Sequence, residues 1–255
     1  MRRTAAVAIL LGFLAILPAT ALALEAGVRA EYWFPKLSGN GSTTTNGLPD
    51  TPFDLEDTLG VQDESFPFGE AFLGVGRFTF RLGYMQPKYD GNATLTQTFV
   101  FNGQTFSVSE NIATRVELQA FDGQIQFDLL RPDIGVAGVN LGLILAGKFV
   151  DGSIEVQSAS TGITTKRDFR AGAPLVGVAA GVGAVKNIVR ADVRATGMAY
   201  SGSHVYEVDA YVSVAPLPFV RLQGGYRYFD LEVDESDVEA NLKLSGPYAG
   251  LQVSF

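Results

Sequence analysis

Charged residues alternate with apolar residues in several segments of this chain. In VRADVRATG, positions 189–197, Arg190, Asp192 and Arg194 alternate with valine and alanine. Because successive side chains of a β-strand point to opposite faces, such a strand carries acids and bases on one face and apolar groups on the other. On a face shielded from bulk water, opposite charges either neutralise one another as ion pairs or line an ion pathway. This segment alone leaves both chemistries open.

The single histidine, His204, is the best candidate for a catalytic base. It lies in YSGSHVYEVD, close to Ser201, Ser203 and Glu207, which suggests a serine–histidine–acid set for hydrolysis. Such a set needs a defined mutual geometry, and these spacings do not supply it. A lone histidine in a loop is usually a polar rim residue. We therefore predict no catalytic residues.

A cluster of carboxylates near the start of the chain is the best candidate for a metal site. Its members are Asp50, Asp54, Glu56, Asp57, Asp63 and Glu64. Carboxylates can hold a hard cation such as calcium, but their spacing is not that of an EF-hand loop. We therefore predict a solvated acidic loop, with no metal and no cofactor.

The first 23 residues are predicted to be a secretory signal peptide. Arg2 and Arg3 precede an apolar run of 13 residues, and a small-x-small triplet ends at Ala23. A membrane-spanning helix needs about 20 residues, so this run is too short for one. We expect cleavage after Ala23. The remaining chain has 17 basic and 27 acidic residues and no cysteine, which predicts no disulfide and poor binding of nucleic acid.

Behind the signal, hydrophobicity alternates with a period of two, in segments separated by Gly, Pro, Asn and Asp. The short connections lie at 74–77, 131–140, 186–187 and 215–219, and the opposite ones at 35–65, 102–103, 158–165, 201–204 and 234–237. The five hairpins defined by the latter set predict ten antiparallel strands, or eight or twelve if one connection is misassigned.

Two architectures fit alternating strands. One is a water-soluble sandwich or barrel, and the other is a transmembrane barrel that turns its apolar face to lipid. The export signal, the alternation of short and long connections, and aromatic residues near the strand ends favour the second. The predicted fold class is all-β, an antiparallel transmembrane β-barrel of residues 24–255. Its first and last strands should pair, because lipid does not tolerate a free sheet edge.

With this topology, charged residues fall on the inward face. The predicted lumen network comprises Arg29, Glu31, Arg81, Arg115, Glu117, Asp122, Asp128, Lys148, Arg190, Asp192, Arg194, Glu207, Asp209, Arg221 and Arg227. Acids and bases are nearly balanced, and narrow barrels are filled by side chains, so we predict a closed, salt-bridged lumen rather than an ion pathway. In AGAPLVGVAAGVGAV, inward residues such as Gly177 and Gly181 should leave room for the long side chains of the next strand.

Two irregular features are predicted on the third and fourth strands. These strands cover 78–101 and 104–130, more than the roughly 9–11 residues that a tilted span needs. The excess, NATLTQTFVFNGQTFSVSEN, should rise above the membrane as a hairpin closed by Asn102-Gly103, which serves as a contact surface or stiffens the rim. The apolar residues of the fourth strand are even-numbered before Phe121 and odd-numbered after Gly123. This change predicts an extra residue, a β-bulge, between these two positions.

The chain ends in GPYAGLQVSF, with Phe255 in line with the lipid-facing residues of the last strand. This segment resembles the C-terminal strand of Gram-negative outer-membrane β-barrels, whose final aromatic residue is part of the signal recognised by the barrel-assembly machinery. In plan, the chain is similar to the small barrels of the OmpA and OmpW type, and DLEDTLGVQDES resembles the first-loop segment of a group of barrels of this size. The resemblance implies the bacterial outer membrane, periplasmic termini, contact with membrane lipid and lipopolysaccharide, and a monomer.

These features predict an integral outer-membrane barrel that is not an enzyme and has a structural or surface-binding role. A small-solute porin is the alternative, and single-channel conductance distinguishes the two. A barrel hydrolase acting on lipid or peptide is the less favoured possibility. The ten-stranded barrel proteases carry an Asp-x-His pattern, which YSGSHVYEVD lacks.

Overall fold

The computed structural model describes residues 24–45, 48–132, 137–185, 187–200, 202–235 and 238–255. The predicted signal peptide lies outside the described residues. No described segment forms a helix that is long and apolar enough to cross a membrane. In the described part of the chain the strands are β1 (Leu24–Trp33), β2 (Lys36–Thr45), β3 (Leu48–Pro49), β4 (Phe53–Asp54), β5 (Phe66–Val75), β6 (Phe78–Met85), β7 (Lys88–Thr94), β8 (Phe99–Phe101), β9 (Gln104–Phe106), β10 (Asn111–Leu130), β11 (Ala137–Ser158), β12 (Thr164–Ala184), β13 (Val189–Tyr200), β14 (Ser203–Leu217), β15 (Val220–Glu235) and β16 (Val238–Ser254).

The main sheet closes into a barrel. β1 pairs with β5 on one side and with β16 on the other, so the first and last strands meet as predicted. At the end of this seam, the backbone N–H groups of Ala26 and Phe255 each donate to the carbonyl of the other at 2.9 Å. β2 continues β1 along β16, and β7 continues β6 along β10. The described residues therefore form ten antiparallel barrel strands, the predicted number.

The glycine-rich segment of β12 is a strand, and its small residues accommodate charged neighbours. A Cβ atom added to Gly181 would lie 2.1 Å from Oδ1 of Asp192 and 2.9 Å from Nη2 of Arg190. Any side chain at this position would therefore displace the charged groups of β13. The prediction that these residues leave room for long side chains is confirmed at Gly181.

The outward face of the barrel is apolar and exposed. Its most exposed aliphatic side chains include Leu82 (64 %), Leu145 (58 %) and Val176 (67 %). Near the short turns, the rings of Phe78 and Phe127 lie 5.0 Å apart, and toward the opposite end those of Tyr84 and Phe121 lie 4.8 Å apart. An apolar belt bordered by aromatic residues on both sides is the lipid-facing surface of a transmembrane barrel.

The extension of the third and fourth barrel strands is not the continuous hairpin that we predicted. β7 and β10 stop pairing before the turn, and β8 and β9 form a separate two-stranded sheet. Asn102 and Gly103 both have positive φ, 50° and 73°, as a type I′ turn requires. The phenylalanines of this hairpin are each 1 % exposed: Phe99, Phe101 and Phe106. The hairpin therefore folds over the barrel mouth, because its apolar face is buried there rather than left in water.

The predicted β-bulge between Phe121 and Gly123 is wrong. β10 pairs with β6 and β11 through these residues without a change of register. Val116 and Leu118 point inward and are buried, whereas Ile125 points outward and is 42 % exposed. The apolar residues change face because the upper interior of the barrel is apolar and the lower interior is charged.

Candidate functional site

A layer of ten charged side chains crosses the barrel interior. The charged layer consists of five acids and five bases: Glu31, Glu70, Asp122, Glu207, Asp209, Arg29, Arg81, Lys148, Arg194 and Arg227. Ion pairs of 4.0 Å or less connect all ten into one network, which spans β1, β5, β6, β10, β11, β13, β14 and β15. The formal charges of the layer therefore cancel.

Asp209 is the centre of this network. Its carboxylate accepts hydrogen bonds from Arg194 at 2.6 Å, from Arg29 at 3.1 Å and from the Tyr248 hydroxyl at 2.7 Å. Nη2 of Arg227 lies 3.6 Å away. Three guanidinium groups from three different strands thus share one carboxylate, whose charge offsets part of their mutual repulsion.

Aromatic rings complete the surroundings of the buried cations. The guanidinium carbon of Arg227 lies 4.2 Å from the ring centre of Phe68, and that of Arg29 lies 5.1 Å from the ring centre of Tyr211. Nζ of Lys148 lies 2.5 Å from Asp122 and 2.9 Å from Glu207. Ring faces attract cations, so these contacts stabilise charges that are shielded from water.

The charged layer leaves little free space in this part of the lumen. The free space within it is a cavity of about 10 Å³, which is at most room for one water molecule. The arrangement corresponds to a salt-bridged core.

Most of the predicted lumen residues lie inside the barrel, but not all in one place. The layer contains Arg29, Glu31, Arg81, Asp122, Lys148, Arg194, Glu207, Asp209 and Arg227. Nearer the short turns, Arg190 pairs with Asp192 at 2.7 Å. There too, Arg221 donates to the Ser213 hydroxyl at 3.2 Å, and Asp128 accepts from Gln126 at 2.6 Å.

For two residues the predicted lumen position is wrong. Arg115 and Glu117 lie on the outer surface of β10, where they pair with Asp90 and Lys88, each at 3.1 Å. The reason is the change of apolar face on β10, which places the apolar residues of its upper half inward. Conversely, Glu70 is a layer residue that was not predicted; it is 7 % exposed and contacts Arg194 at 3.0 Å. The signal was present, since FPFGEAF has the alternation that turns Glu70 inward.

Above the charged layer the barrel encloses a large apolar cavity. This outer cavity has a volume of 640 Å³, and Lys148 of the charged layer lies at its floor. Its apolar lining includes Leu118, Val150, Phe169, Met198, Val205 and Phe229. Its volume falls within the range of small-molecule pockets and exceeds that of the voids found in close-packed interiors.

Residues 95–110, which include β8 and β9, form a lid over the outer cavity. Its tip is tied to the top of β12, because Asn102 donates to the carbonyl of Lys166 at 3.1 Å and accepts from Arg167 at 3.2 Å. Its side is tied to the preceding loop, where the N–H of Thr51 donates to the carbonyl of Val100 at 3.0 Å. Phe101, a residue of the lid itself, lines the cavity.

Carboxylates hold the lid and its neighbouring loop in place. Asp50 accepts from the backbone N–H of Asn102 at 2.9 Å, and Asp54 accepts from the N–H of Asp57 at 2.8 Å. At the base of the lid, the Ser158 hydroxyl donates to Glu110 and lowers the pKa of that carboxyl. Within the described residues no group of acids and histidine could hold a metal ion. Asp50 and Asp54 thus have a structural use, as acceptors for backbone N–H groups.

Tyr89 is an unpaired polar group in the cavity wall. It lines the outer cavity and is fully buried. Its hydroxyl has no hydrogen-bond partner among the described residues. Burial raises the pKa of Tyr89 above its ordinary value, so the hydroxyl keeps its proton and remains a donor. A buried hydroxyl without a partner is costly, and a polar group on a ligand would satisfy it.

The structure separates His204 from Glu207, two members of the candidate serine–histidine–acid set. His204 points outward, with Nε2 3.7 Å from Asp230 and Nδ1 3.6 Å from Glu232. Glu207 lies on the opposite face of β14, where Lys148 binds it in the charged layer. Ser201 lies outside the described residues. These positions place histidine and Glu207 on different sides of the barrel wall.

Two features together decide the class of the protein. The sheet closes on itself through the β1–β16 ladder, which leaves no free edge to face lipid. Its outward face is an exposed apolar belt with aromatic borders. The protein is a closed antiparallel β-barrel of the transmembrane type.

Some solved structures are similar to this chain in fold at low sequence identity. No family model and no curated protein matches the sequence. The outer-membrane protease OmpT from Escherichia coli has 12 % sequence identity and a TM-score of 0.47, over 90 % of this chain and 97 % of that one. The translocator domain of the autotransporter NalP from Neisseria meningitidis has 9 % identity and a TM-score of 0.44, over 98 % and 96 %. The attachment invasion locus protein Ail of Yersinia pestis has 9 % identity and a TM-score of 0.34, over 91 % and 98 %.

The closed charged layer predicts that the barrel does not conduct. In planar lipid bilayers, the purified wild-type protein is expected to show no steady open-channel current, because the free space in the layer is about 10 Å³. A porin of known conductance, reconstituted in the same way, is the control for insertion. Stable open-channel steps from the wild-type barrel would contradict this prediction.

Proposed function

We propose that this barrel is a non-enzymatic, non-conducting outer-membrane protein that binds an amphipathic small molecule in the outer cavity. The observation that carries the proposal is the 640 Å³ apolar cavity between the lid and the charged layer. Ligand sites typically have volumes of about 300–1,000 Å³ and an apolar lining with a few polar groups. Here Tyr89 and Arg167 are such polar groups.

The proposal places the lid on the cell surface and both termini in the periplasm. Bacterial barrels have short periplasmic turns and longer extracellular loops. The seam between Ala26 and Phe255 lies at the end of the barrel that carries the two-residue turns at 76–77 and 218–219. We further infer a monomer surrounded by membrane lipid and lipopolysaccharide, assembled through recognition of its C-terminal strand.

The test is binding of a fluorescent fatty acid, dansyl-undecanoic acid, to the barrel in lipid nanodiscs. We expect saturable binding with enhanced dansyl fluorescence. Val150→Trp fills the cavity and should weaken binding by about tenfold, or about 1.4 kcal/mol. Leu145→Trp, on the lipid-facing side of the same strand, should leave the affinity unchanged.

The resistance of the folded gel band to heating shows that both variants are folded. Wild-type protein that gives only the unsaturable signal of empty nanodiscs would overturn the proposed function. Equal effects of the two tryptophan variants would place the probe outside the cavity.

A further inference from the structure

We propose that the ligand reaches the outer cavity sideways, from the outer leaflet, through a gap in the barrel wall between β12 and β13. We further infer that the ligand is a single-chain amphiphile whose anionic head binds Arg167. This inference rests on the proposed function and adds the route and the chemical class of the ligand.

The gap is a place where the ladder between two neighbouring strands stops early. β12 and β13 pair from Ala184–Val189 up to Val176–Gly197. Above this point, β12 continues to Thr164 with β11 as its sole partner among the described residues, while β13 turns back into β14 at Tyr200. Pro174 lies in this part of β12, and proline, which has no N–H group, is found in sheets at edges. β12 therefore has a free edge on this side.

The gap opens into the outer cavity. On β12, Ala171 and Ala173 line the cavity with small side chains, and on β13, Met198 and Tyr200 line it from the other side. Tyr200 lies beside the gap and is 76 % exposed. The cavity therefore reaches the outer surface of the wall at this position.

The gap lies at the border between lipid and water. Phe149, which points outward, faces Gly172 on β12, and Tyr206, which also points outward, faces Gly197 on β13. Aromatic residues at this end of a barrel mark the membrane interface. The gap begins between these two rings, at the level of the outer leaflet where the head groups of amphiphiles lie.

The two routes along the barrel axis are obstructed. The lid covers the upper end and is tied to β12 and to the loop at Thr51. The charged layer closes the lower end. An apolar molecule that crossed either barrier would displace hydrogen bonds or ion pairs, whereas the gap is bordered by small alanine side chains on β12 and by Met198 and Tyr200 on β13. The lateral route therefore has the lowest barrier.

Arg167 is suited to bind the head group. It lines the cavity on the same inward row of β12 as Phe169 and Ala171. One guanidinium N–H group donates to the Asn102 side chain, and Arg167 has no carboxylate partner among the described residues. A guanidinium group binds carboxylate or phosphate through paired hydrogen bonds. When the head group binds Arg167, the acyl chain lies beside Phe169, in the apolar part of the cavity.

Cysteine cross-links test the route, and the chain has no cysteine of its own. Pro174→Cys with Ala199→Cys would place thiols opposite each other if the ladder continued, and a short bis-maleimide then bridges the gap. We expect association and dissociation of dansyl-undecanoic acid to slow by at least tenfold, with unchanged affinity at equilibrium. The control pair, Ala180→Cys with Val193→Cys, bridges two residues that already pair and should change neither rate.

A second cross-link tests the route through the mouth. Thr51→Cys with Val100→Cys fixes the lid to its neighbouring loop, and lateral access predicts no effect on either rate. Slower binding with the lid fixed, together with normal rates when the gap is bridged, would overturn the lateral route. Saturable binding of the probe by the wild-type protein would still be observed in that case. The binding measurement therefore tests the proposed function, and the rates of the cross-linked proteins test the route.

Head-group recognition is tested with charged and neutral probes. Arg167→Gln should weaken the binding of dansyl-undecanoic acid by about tenfold. The binding of the primary amide of this probe should be unchanged. Equal weakening of both probes would overturn the assignment of the head to Arg167. Competition by dodecanoate and by dodecyl phosphate distinguishes a carboxylate head from a phosphate head.

Discussion

Asp209→Ala is expected to destabilise the folded barrel by about 3–5 kcal/mol, since it removes one partner of a buried ion-pair network. Asp209 is 4 % exposed and accepts hydrogen bonds from Arg29, Arg194 and Tyr248. Its loss leaves two arginines without this acceptor, and the nearby Arg227 without the same compensating charge. The measurement is a urea titration of folding in lipid vesicles.

Asp90→Ala is the matched control for this prediction. Asp90 also binds an arginine, Arg115, at 3.1 Å, but both side chains are more than half exposed. Exposed ion pairs contribute about 0–1 kcal/mol. If the two variants had the same urea midpoint, the charged layer would not be the stabilising core that its geometry indicates.

Phe255→Ala is expected to abolish most outer-membrane assembly in cells while leaving the stability of the refolded barrel nearly unchanged. The Phe255 side chain is 76 % exposed, so it adds little to packing within the protein. Its backbone makes the hydrogen bonds with Ala26 that close the seam, and the substitution retains them. The expected loss is therefore one of recognition by the assembly machinery.

Two measurements separate recognition from folding for this variant. The amount of protein in the outer membrane reports assembly, and the urea midpoint after refolding in vesicles reports stability. Phe219→Ala is the control, because Phe219 is also an exposed aromatic residue (61 %) at the same end of the barrel. Normal membrane levels of Phe255→Ala would show that the final aromatic residue is not part of the signal.

The local pattern of the sequence determined the strands, their number and their closure. Alternation with a period of two and turn residues such as Asn102-Gly103 are local signals, and a transmembrane sheet must then close because lipid cannot satisfy a free edge. The small residues of β12 also indicated where long side chains would fit, as Gly181 shows. Most residues of the charged layer could be predicted from the same alternation, because it determines which residues of a strand share the inward face.

The alternation of side chains along a strand does not determine whether the inward face is polar or apolar. The polarity of the inward face depends on the position of the residue along the barrel axis. On β10 the apolar residues face the cavity in the upper half and lipid in the lower half, so Arg115 and Glu117 were placed on the wrong face. The folded lid was also beyond the local pattern, since the burial of Phe99 and Phe101 requires Phe53, which is distant in sequence. The gap beside β12 depends likewise on where β13 turns back. The sequence by itself determined strand identity and closure, which short-range alternation and the lipid environment impose. The tertiary structure decided what the barrel encloses, because that depends on contacts between distant segments.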